Sequence, residues 1–310
     1  MKKKIKKINF IHSFIFFLFC NFLSFIIIEF NLAITPLVCL ISILIIGVSH
    51  GSLDHIKGRR LLKLFELDNI IIFYLTYILT AITIIILWIL FPTFSLVIFL
   101  VIASFHFGKE DIEFLISKNT YLNQFLYFLK GSLIILAPMY FHFDQTVIIF
   151  KLLLVENESF YSNLSYIETN KILQIGIILS TLSSIFLFMK DFELKKFTIF
   201  FDYFSIVIIN YYFSPLLAFT IYFCFLHSIR HSISLVFEID KNNTKRGITI
   251  FIKKALPLTI LTAFFCVISI FLLSNNYNLD SSILKVVFIG LASLTFPHIL
   301  LEYFLEKNER

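Results

Sequence analysis

The fold is decided by stretches such as Asn69–Phe91, NIIIFYLTYILTAITIIILWILF, in which no residue is charged. About 20 apolar residues in a helix cross a bilayer core about 30 Å thick, so this stretch predicts a transmembrane helix. Similar runs recur along the chain, which has 310 residues, is 59% hydrophobic and only 15% charged, and has a mean hydropathy of +0.92. A soluble domain carries more charge. The sequence predicts an all-α, polytopic transmembrane helical bundle.

Ten apolar runs approach spanning length, some of them barely, so we predict eight to ten transmembrane helices. The segment Leu122–Val155 is expected to hold one helix followed by an interfacial segment, and the polar stretch Glu156–Lys171 an outer loop. No soluble domain is visible, so residues 1–310 are predicted to form a single integral membrane domain. The ten candidates are Ile8–Phe30, Leu32–His50, Asn69–Phe91, Phe94–Phe107, Leu122–Phe143, Ile172–Met189, Phe197–Phe213, Pro215–Phe237, Ala255–Leu273 and Ile283–Phe304.

The positions of the charges predict the orientation. With the N-terminus in the cytoplasm and the helices alternating, most of the 26 Lys and Arg residues fall on the cytoplasmic side. This predicts an N-in, C-in, multi-pass protein of the cell membrane. The apolar run Ile8–Phe30 is too long for a signal peptide and is expected to be the first helix. Despite the net charge of +6, no continuous basic face is available for nucleic acid.

The sequence contains eight histidines, and these are the strongest candidates for metal-binding or catalytic residues. Two of them, His12 and His142, are expected to have structural roles. The other six are predicted to lie at similar depth near the cytoplasmic ends of four helices. Because ionisable residues in a membrane are costly and normally face the bundle interior, we expect their imidazoles to converge on a metal ion. These six are His50, His55, His106, His227, His231 and His298.

Local spacing supports a metal centre. His227 and His231 are four residues apart, so one helix face presents both imidazoles about one turn apart. The four cysteines lie in apolar runs without a CxxC pair, which leaves a thiolate-free ligand set suited to Fe, Zn, Cu or Ni. A carboxylate with the same spacing would orient a ligand by accepting its second N–H. Such pairs are His50 with Asp54 and His298 with Glu302.

Structural roles remain open for several of these residues. An isolated His pair of this spacing is as often structural as metal-binding, and only the six histidines at one depth favour a metal. His55 could cap a helix end beside a basic run. Arg230, inside the predicted eighth helix, could pair with Asp54, Asp111 or Glu238 for structure alone.

Four motifs, in this order, resemble the Brp/Blh family of bacterial and archaeal membrane proteins, which are β-carotene 15,15'-dioxygenases. The resemblance covers nearly the whole chain, because the apolar helices between the motifs also fit. Ser49 stands where the family usually has proline, a change that removes no histidine. The motifs read Ser49-His50-Gly51-Ser52-Leu53-Asp54-His55, His106-Phe107-Gly108-Lys109-Glu110-Asp111, His227-Ser228-Ile229-Arg230-His231 and Pro297-His298.

The resemblance implies an enzyme that uses iron(II), Fe(2+), and O₂ to split the central double bond of β-carotene into two retinals. The resemblance also implies that the protein is surrounded by membrane lipid and that a rhodopsin receives the retinal. The implied iron ligands are His50, His106, His227 and His231. His55 and His298 are the next candidates, with Asp54, Asp111 and Glu302 as carboxylates that would orient ligands. Aromatic residues near the motifs are expected to line a substrate tunnel, namely Phe105, Phe107, Tyr222, Phe223 and Phe225.

Two alternatives remain: another membrane metal-oxygenase, or, from a different class, a transporter or a haem protein. A membrane desaturase or hydroxylase with a di-iron site usually has more histidine-rich boxes than the single His-x-x-x-His motif found here. A His-lined transporter is less favoured because no internal repeat is detectable. A haem protein would need two opposed axial histidines and would show a Soret band.

Overall fold

The computed structural model describes residues 2–30, 32–116 and 120–308, except the side chains of Lys2 and His50. Over these residues the backbone forms helices and turns and no strand, which confirms the all-α prediction. The α-helices are α1 (Lys2–Glu29), α2 (Pro36–Ser42), α3 (Asp54–Leu64), α4 (Ile70–Leu90), α5 (Pro92–Glu110), α6 (Tyr121–Phe141), α7 (Phe143–Leu152), α8 (Glu158–Thr169), α9 (Ile172–Met189), α10 (Phe197–Tyr212), α11 (Pro215–Ile221), α12 (Ile229–Ile239), α13 (Thr244–Leu273) and α14 (Leu279–Asn308).

Nine helical stretches of the described residues are long and apolar enough to cross a membrane, within the predicted range. The chain is therefore a multi-pass membrane protein. The tenth candidate, Phe197–Phe213, is present as α10, but its 16 residues span only about 24 Å at 1.5 Å per residue. The N-in, C-in orientation stays a prediction. The nine stretches are Lys3–Glu29, Pro36–Leu64, Ile70–Leu90, Pro92–Leu115, Tyr121–Phe141, Ile172–Met189, Pro215–Ile239, Thr244–Leu273 and Leu279–Asn308.

The stretch predicted as an outer loop, Glu156–Lys171, is instead largely helical. Asn157 caps the start of α8, because its side-chain oxygen accepts a hydrogen bond of 3.0 Å from the Phe160 backbone N–H. Leu164 is buried and Ile167 packs against the main core. The loop prediction was wrong because polar residues on one face concealed apolar residues at helical spacing on the other. The segment predicted to follow the helix in Leu122–Val155 is present as the short helix α7, and its interfacial location stays a prediction.

The second predicted helix, Leu32–His50, has different limits and an irregular middle. It starts at Pro36, passes through a π-helical turn (Ile43–Gly47) and a 3₁₀ segment (Val48–Leu53), and continues as α3 to Leu64. The π-helical turn admits an aromatic ring, because a Cβ added to Gly47 would lie 2.6 Å from a ring carbon of Phe223. Such turns occur frequently at functional sites.

A second π-helical turn, Tyr222–Ser228, joins α11 to α12 and carries the first two residues of the third motif, the rest of which lies on α12. It lies beside the first one, where the Ser228 hydroxyl donates to the carbonyl of Gly47 over 3.3 Å. The irregular segments of the first and third motifs therefore meet inside the bundle.

Close contact between α5 and α6 positions the second motif. A Cβ added to Gly108 would overlap the carbonyl oxygen of Tyr127, and one added to Gly131 would overlap that of Ser104. Small residues allow two membrane helices to approach this closely. His106, two residues before Gly108, is buried in the bundle interior.

Candidate metal centre

Four of the predicted imidazoles lie together in the bundle interior. His106 on α5, His227 on the second π-helical turn, His231 on α12 and His298 on α14 are all buried. The ring centroid of His106 lies 5.4 Å from that of His227 and 5.5 Å from that of His298, and the His231 and His298 centroids are 5.4 Å apart. The side chain of His50 lies outside the described residues, although its backbone belongs to the 3₁₀ segment.

Three of these imidazoles have a carboxylate at Nδ1. Because an ionised carboxylate only accepts hydrogen bonds, a neutral imidazole in each pair would carry its proton on Nδ1 and keep at Nε2 the lone pair that a metal ion needs. This arrangement is common among histidines that bind metals. The Nδ1–carboxylate distances are 2.9 Å from His298 to both oxygens of Asp54, 3.3 Å from His227 to Asp111, and 3.0 Å from His231 to Glu110.

Glu302 lies on the Nε2 side of two imidazoles. Its Oε1 is 3.9 Å from Nε2 of His231 and 3.8 Å from Nε2 of His298, and it accepts a 2.6 Å bond from Lys57. The i,i+4 spacing of His298 and Glu302 predicted that Glu302 orients a histidine through its second N–H, whereas the structure places Glu302 on the Nε2 side, among the candidate donor atoms. Two groups have ligand atoms that all lie within 4.8 Å of one another, namely His231, His298 and Glu302, and His106, Glu110 and Glu302.

Glu110 was not predicted as a site residue, although the sequence contained a signal for it. Glu110 follows His106 by four residues, the same spacing that was noted for the other histidine–carboxylate pairs. In the structure it contacts His231 of another helix through the 3.0 Å bond. A pairing within the motif was thus visible in the sequence, but the partner across the bundle was not.

A buried network lies behind His227. Asp111, which accepts from His227, also accepts from the Tyr222 hydroxyl over 2.8 Å. Arg230 donates to the Asp111 carbonyl over 2.7 Å and to both oxygens of Asp202 over 2.8 and 3.0 Å. Of the three partners considered for Arg230 from sequence, only Asp111 is in contact, and the main partner is Asp202 on α10, which sequence reasoning missed. A lone acid within the apolar run of α10 was the available signal.

An apolar groove leads from the outer surface of the bundle to the imidazoles. This lipid-side groove lies between α4, α13 and α14, has a volume of about 320 Å³, and ends at His106, His227 and His298. At its rim, Ile78 of α4 is 53% exposed and Phe265 of α13 is 58% exposed, so the groove opens where apolar helices face lipid. A hydrophobic molecule dissolved in the bilayer can reach the imidazoles by this route.

A second space adjoins His106 and is polar. This polar cavity of about 440 Å³ lies between α5, α6 and α14 and is lined by Lys109, Glu110, Glu302 and Glu306, among others. Lys109 and Glu306 form an ion pair of 2.9 Å across it. The cluster thus lies between an apolar and a polar space.

The structure also describes the side chains of His55, His12 and His142. His55 lines the lipid-side groove, and its Nδ1 lies 3.0 Å from the carbonyl of Ser52. His12 bonds the Phe225 carbonyl over 2.8 Å, and His142 ends α6.

Two of the five aromatic residues proposed for a tunnel, Phe107 and Phe223, line the groove. Phe105 lines the polar cavity and Phe225 packs on Phe19. Tyr222 instead donates to Asp111.

Comparisons with known proteins identify the family of the chain. A family model described as Beta-carotene 15,15'-dioxygenase matches residues 41–306, which include all four motifs. The Beta-carotene 15,15'-dioxygenase of Uncultured marine bacterium 66A03 is 27% identical over 268 residues, covering 84% of this chain and 90% of that protein. No solved structure matches the chain significantly. The chain belongs to the beta-carotene 15,15'-dioxygenase family.

Proposed function

We propose that this protein is a β-carotene 15,15'-dioxygenase that cleaves all-trans-β-carotene with O₂ into two molecules of all-trans-retinal at a non-haem iron. The observation that carries the proposal is the cluster of buried imidazoles at the inner end of an apolar groove that opens to lipid. Family membership supplies the substrate and the reaction.

The residues present suit iron(II). The donors are imidazole and carboxylate groups, and none of the described donors is a cysteine, which fits non-haem iron oxygenases. His106, His227, His231 and His298 would hold the ion, with Glu302 beside them and with His50 as the ligand that the family resemblance implies. Iron(II) bound there would supply the activation of O₂.

The protein's own groups would prepare this site. Asp54, Glu110 and Asp111 hold protons on three Nδ1 atoms and thereby keep Nε2 of each ring available. Aromatic and aliphatic walls bind the polyene and exclude water from the reacting bond. In the reaction one O₂ is consumed, the central double bond breaks, and each of its two carbons takes one oxygen atom as an aldehyde.

A membrane location suits this substrate. β-Carotene is a hydrocarbon that dissolves in the bilayer, so it would enter sideways between α4 and α13 from the surrounding lipid of the cell membrane. Retinal is also apolar and would leave by the same opening, where a rhodopsin in the same membrane could receive it. Exposed apolar side chains on both helices support this route.

The geometry favours this class over a haem protein. Three centroid separations of 5.4 to 5.5 Å link the four rings into one group. A porphyrin needs a flat, wide slot between two opposed rings. The four linked rings fit a small ion better.

Expression in bacteria that accumulate β-carotene tests the proposal. We expect the orange colour to fade and retinal to appear, with two retinals for each β-carotene lost. His231→Ala, which removes a buried imidazole, should leave the colour unchanged while the protein remains inserted in the membrane. Unchanged carotene with inserted wild-type protein would contradict the proposed activity.

A further inference from the structure

The lipid-side groove is too small for the whole substrate. Its volume is about 320 Å³, near the lower end of the roughly 300–1,000 Å³ range of pockets that bury drug-sized ligands. A forty-carbon carotenoid is larger than a drug-sized ligand. Cleavage at the central bond also requires one half of the polyene on each side of the reacting atoms. The second half must therefore extend beyond the imidazoles.

A second apolar space lies behind the groove. This inner cavity, of about 80 Å³, is formed by α5, α6, α7, α11 and α14. Its lining is almost entirely hydrocarbon. The one hydroxyl group, on Thr146, donates to the carbonyls of Pro138 and His142 over 3.1 and 2.9 Å. Because this lining is apolar and its one hydroxyl already donates to backbone carbonyls, the inner cavity suits a hydrocarbon ligand.

Only a thin aromatic partition separates the inner cavity from the groove. Phe107 lines both spaces, while Phe223 faces the groove and Phe219 faces the inner cavity. Phe219 and Phe223 stack with ring centroids 5.4 Å apart and planes at 10°. Phe107 and Phe223 also contact His227, with centroids 4.7 and 5.9 Å away. The partition thus stands beside a candidate ligand, where the scissile bond would lie.

We propose that the Phe219–Phe223 pair moves aside and joins the inner cavity to the groove, and that the joined space is the binding subsite for the second half of the carotenoid. The inner cavity alone, at about 80 Å³, holds only the leading part of that half. The far wall of the inner cavity then limits how deeply the chain enters, and so sets which double bond faces the imidazoles. Phe223 belongs to the second π-helical turn, a conformation frequent at functional sites. This inference rests on the proposed function.

Filling the inner cavity tests the subsite. Ile149 of α7 lines it and is on a helix without any candidate ligand. In Ile149→Phe we expect kcat/KM for β-carotene to fall at least about tenfold, because the substrate end no longer fits. An apocarotenal shortened at one end needs less depth, and its cleavage at the same bond should persist. Ile148→Phe is the matched control, because Ile148 is 55% exposed on the same helix, and it should behave as wild type.

Iron content and cleavage of the shortened substrate report whether the variant is intact. Normal β-carotene cleavage in Ile149→Phe would overturn the subsite, as would an equal loss for both substrates with iron retained. Leu100→Phe, which fills the same cavity from α5, repeats the comparison with a different helix. Wild-type protein that cleaves neither substrate would instead refute the proposed function.

Discussion

Asp54 illustrates how much one side chain can do in this site. It accepts from His298 at both oxygens over 2.9 Å and from the Tyr77 hydroxyl over 2.9 Å, and it is buried. These bonds join the first motif to the fourth across the bundle. Because the carboxylate holds the proton on Nδ1, it would fix the tautomer and the orientation of the His298 ring.

Asp54→Asn should therefore impair the centre without removing any ligand. We expect iron affinity or turnover to fall by about 10–100-fold, the usual cost of losing a carboxylate behind a metal-binding histidine. Tyr77→Phe, which removes one donor to Asp54 and keeps the carboxylate, should have a smaller effect. Iron titration and retinal formation measure both variants, and equal effects would contradict the role given to Asp54.

For single residues, the sequence predicted which side chains carry the chemistry, but it did not predict most of the contacts between them. The histidines and their i,i+4 spacing were visible, and four of the six predicted imidazoles lie together in the structure. The cross-bundle pairs, such as His298 with Asp54 and Arg230 with Asp202, were not visible, because a local pattern does not specify which helices are neighbours. The position of Glu302 among the candidate donor atoms was not predicted for the same reason, since it depends on which helices are neighbours.

Close contacts between helices position the candidate ligands. Gly108 and Gly131 bring α5 against α6, while Gly290 on α14 has nothing within 4 Å of an added Cβ. An added methyl group can therefore be accommodated at Gly290 but not at Gly108 or Gly131. The two kinds of glycine therefore give a direct comparison.

Gly108→Ala should push α5 away from α6 and displace His106, which lies two residues earlier. We expect a lower midpoint of thermal unfolding in detergent and a large loss of activity, because the added methyl group meets backbone that cannot give way. Gly290→Ala should unfold at the wild-type temperature or slightly above it. Equal behaviour of the two variants would contradict the close contact.

The Arg230–Asp202 pair joins α12 to α10, and both groups are buried. Arg230→Met should destabilise the protein by about 3–5 kcal/mol, because it leaves a buried carboxylate without its cation. Replacing both residues, in Arg230→Met with Asp202→Leu, should restore part of that loss. Unfolding in detergent measures this, and a double variant less stable than Arg230→Met would argue against an ion pair.

At the scale of elements, hydropathy predicted where helices occur but not their irregular parts. The run before His50 read as one helix, yet it contains a π-helical turn and a 3₁₀ segment. These departures depend on the contact of Gly47 with Phe223, which joins segments far apart in the chain. Polar α8 was missed because hydropathy averages over both faces of a helix.

The whole molecule is predicted to have both termini in the cytoplasm. Lys and Arg are concentrated in alternate connections, and this bias orients membrane helices during insertion. Green fluorescent protein fused after Arg310 should therefore fluoresce, and alkaline phosphatase fused there should be inactive. With a cytoplasmic N-terminus, the opposite pattern would mean that the chain crosses the membrane an odd number of times and that α10 does not span it.

The central claim for the molecule is that imidazoles from separate helices hold one iron ion, and metal analysis of purified, active protein tests it most directly. We predict about one iron per chain in the wild type and in His142→Ala, and a loss of iron in His106→Ala, His231→Ala and His298→Ala. Active protein without metal, or full iron content in all three cluster variants, would contradict the account.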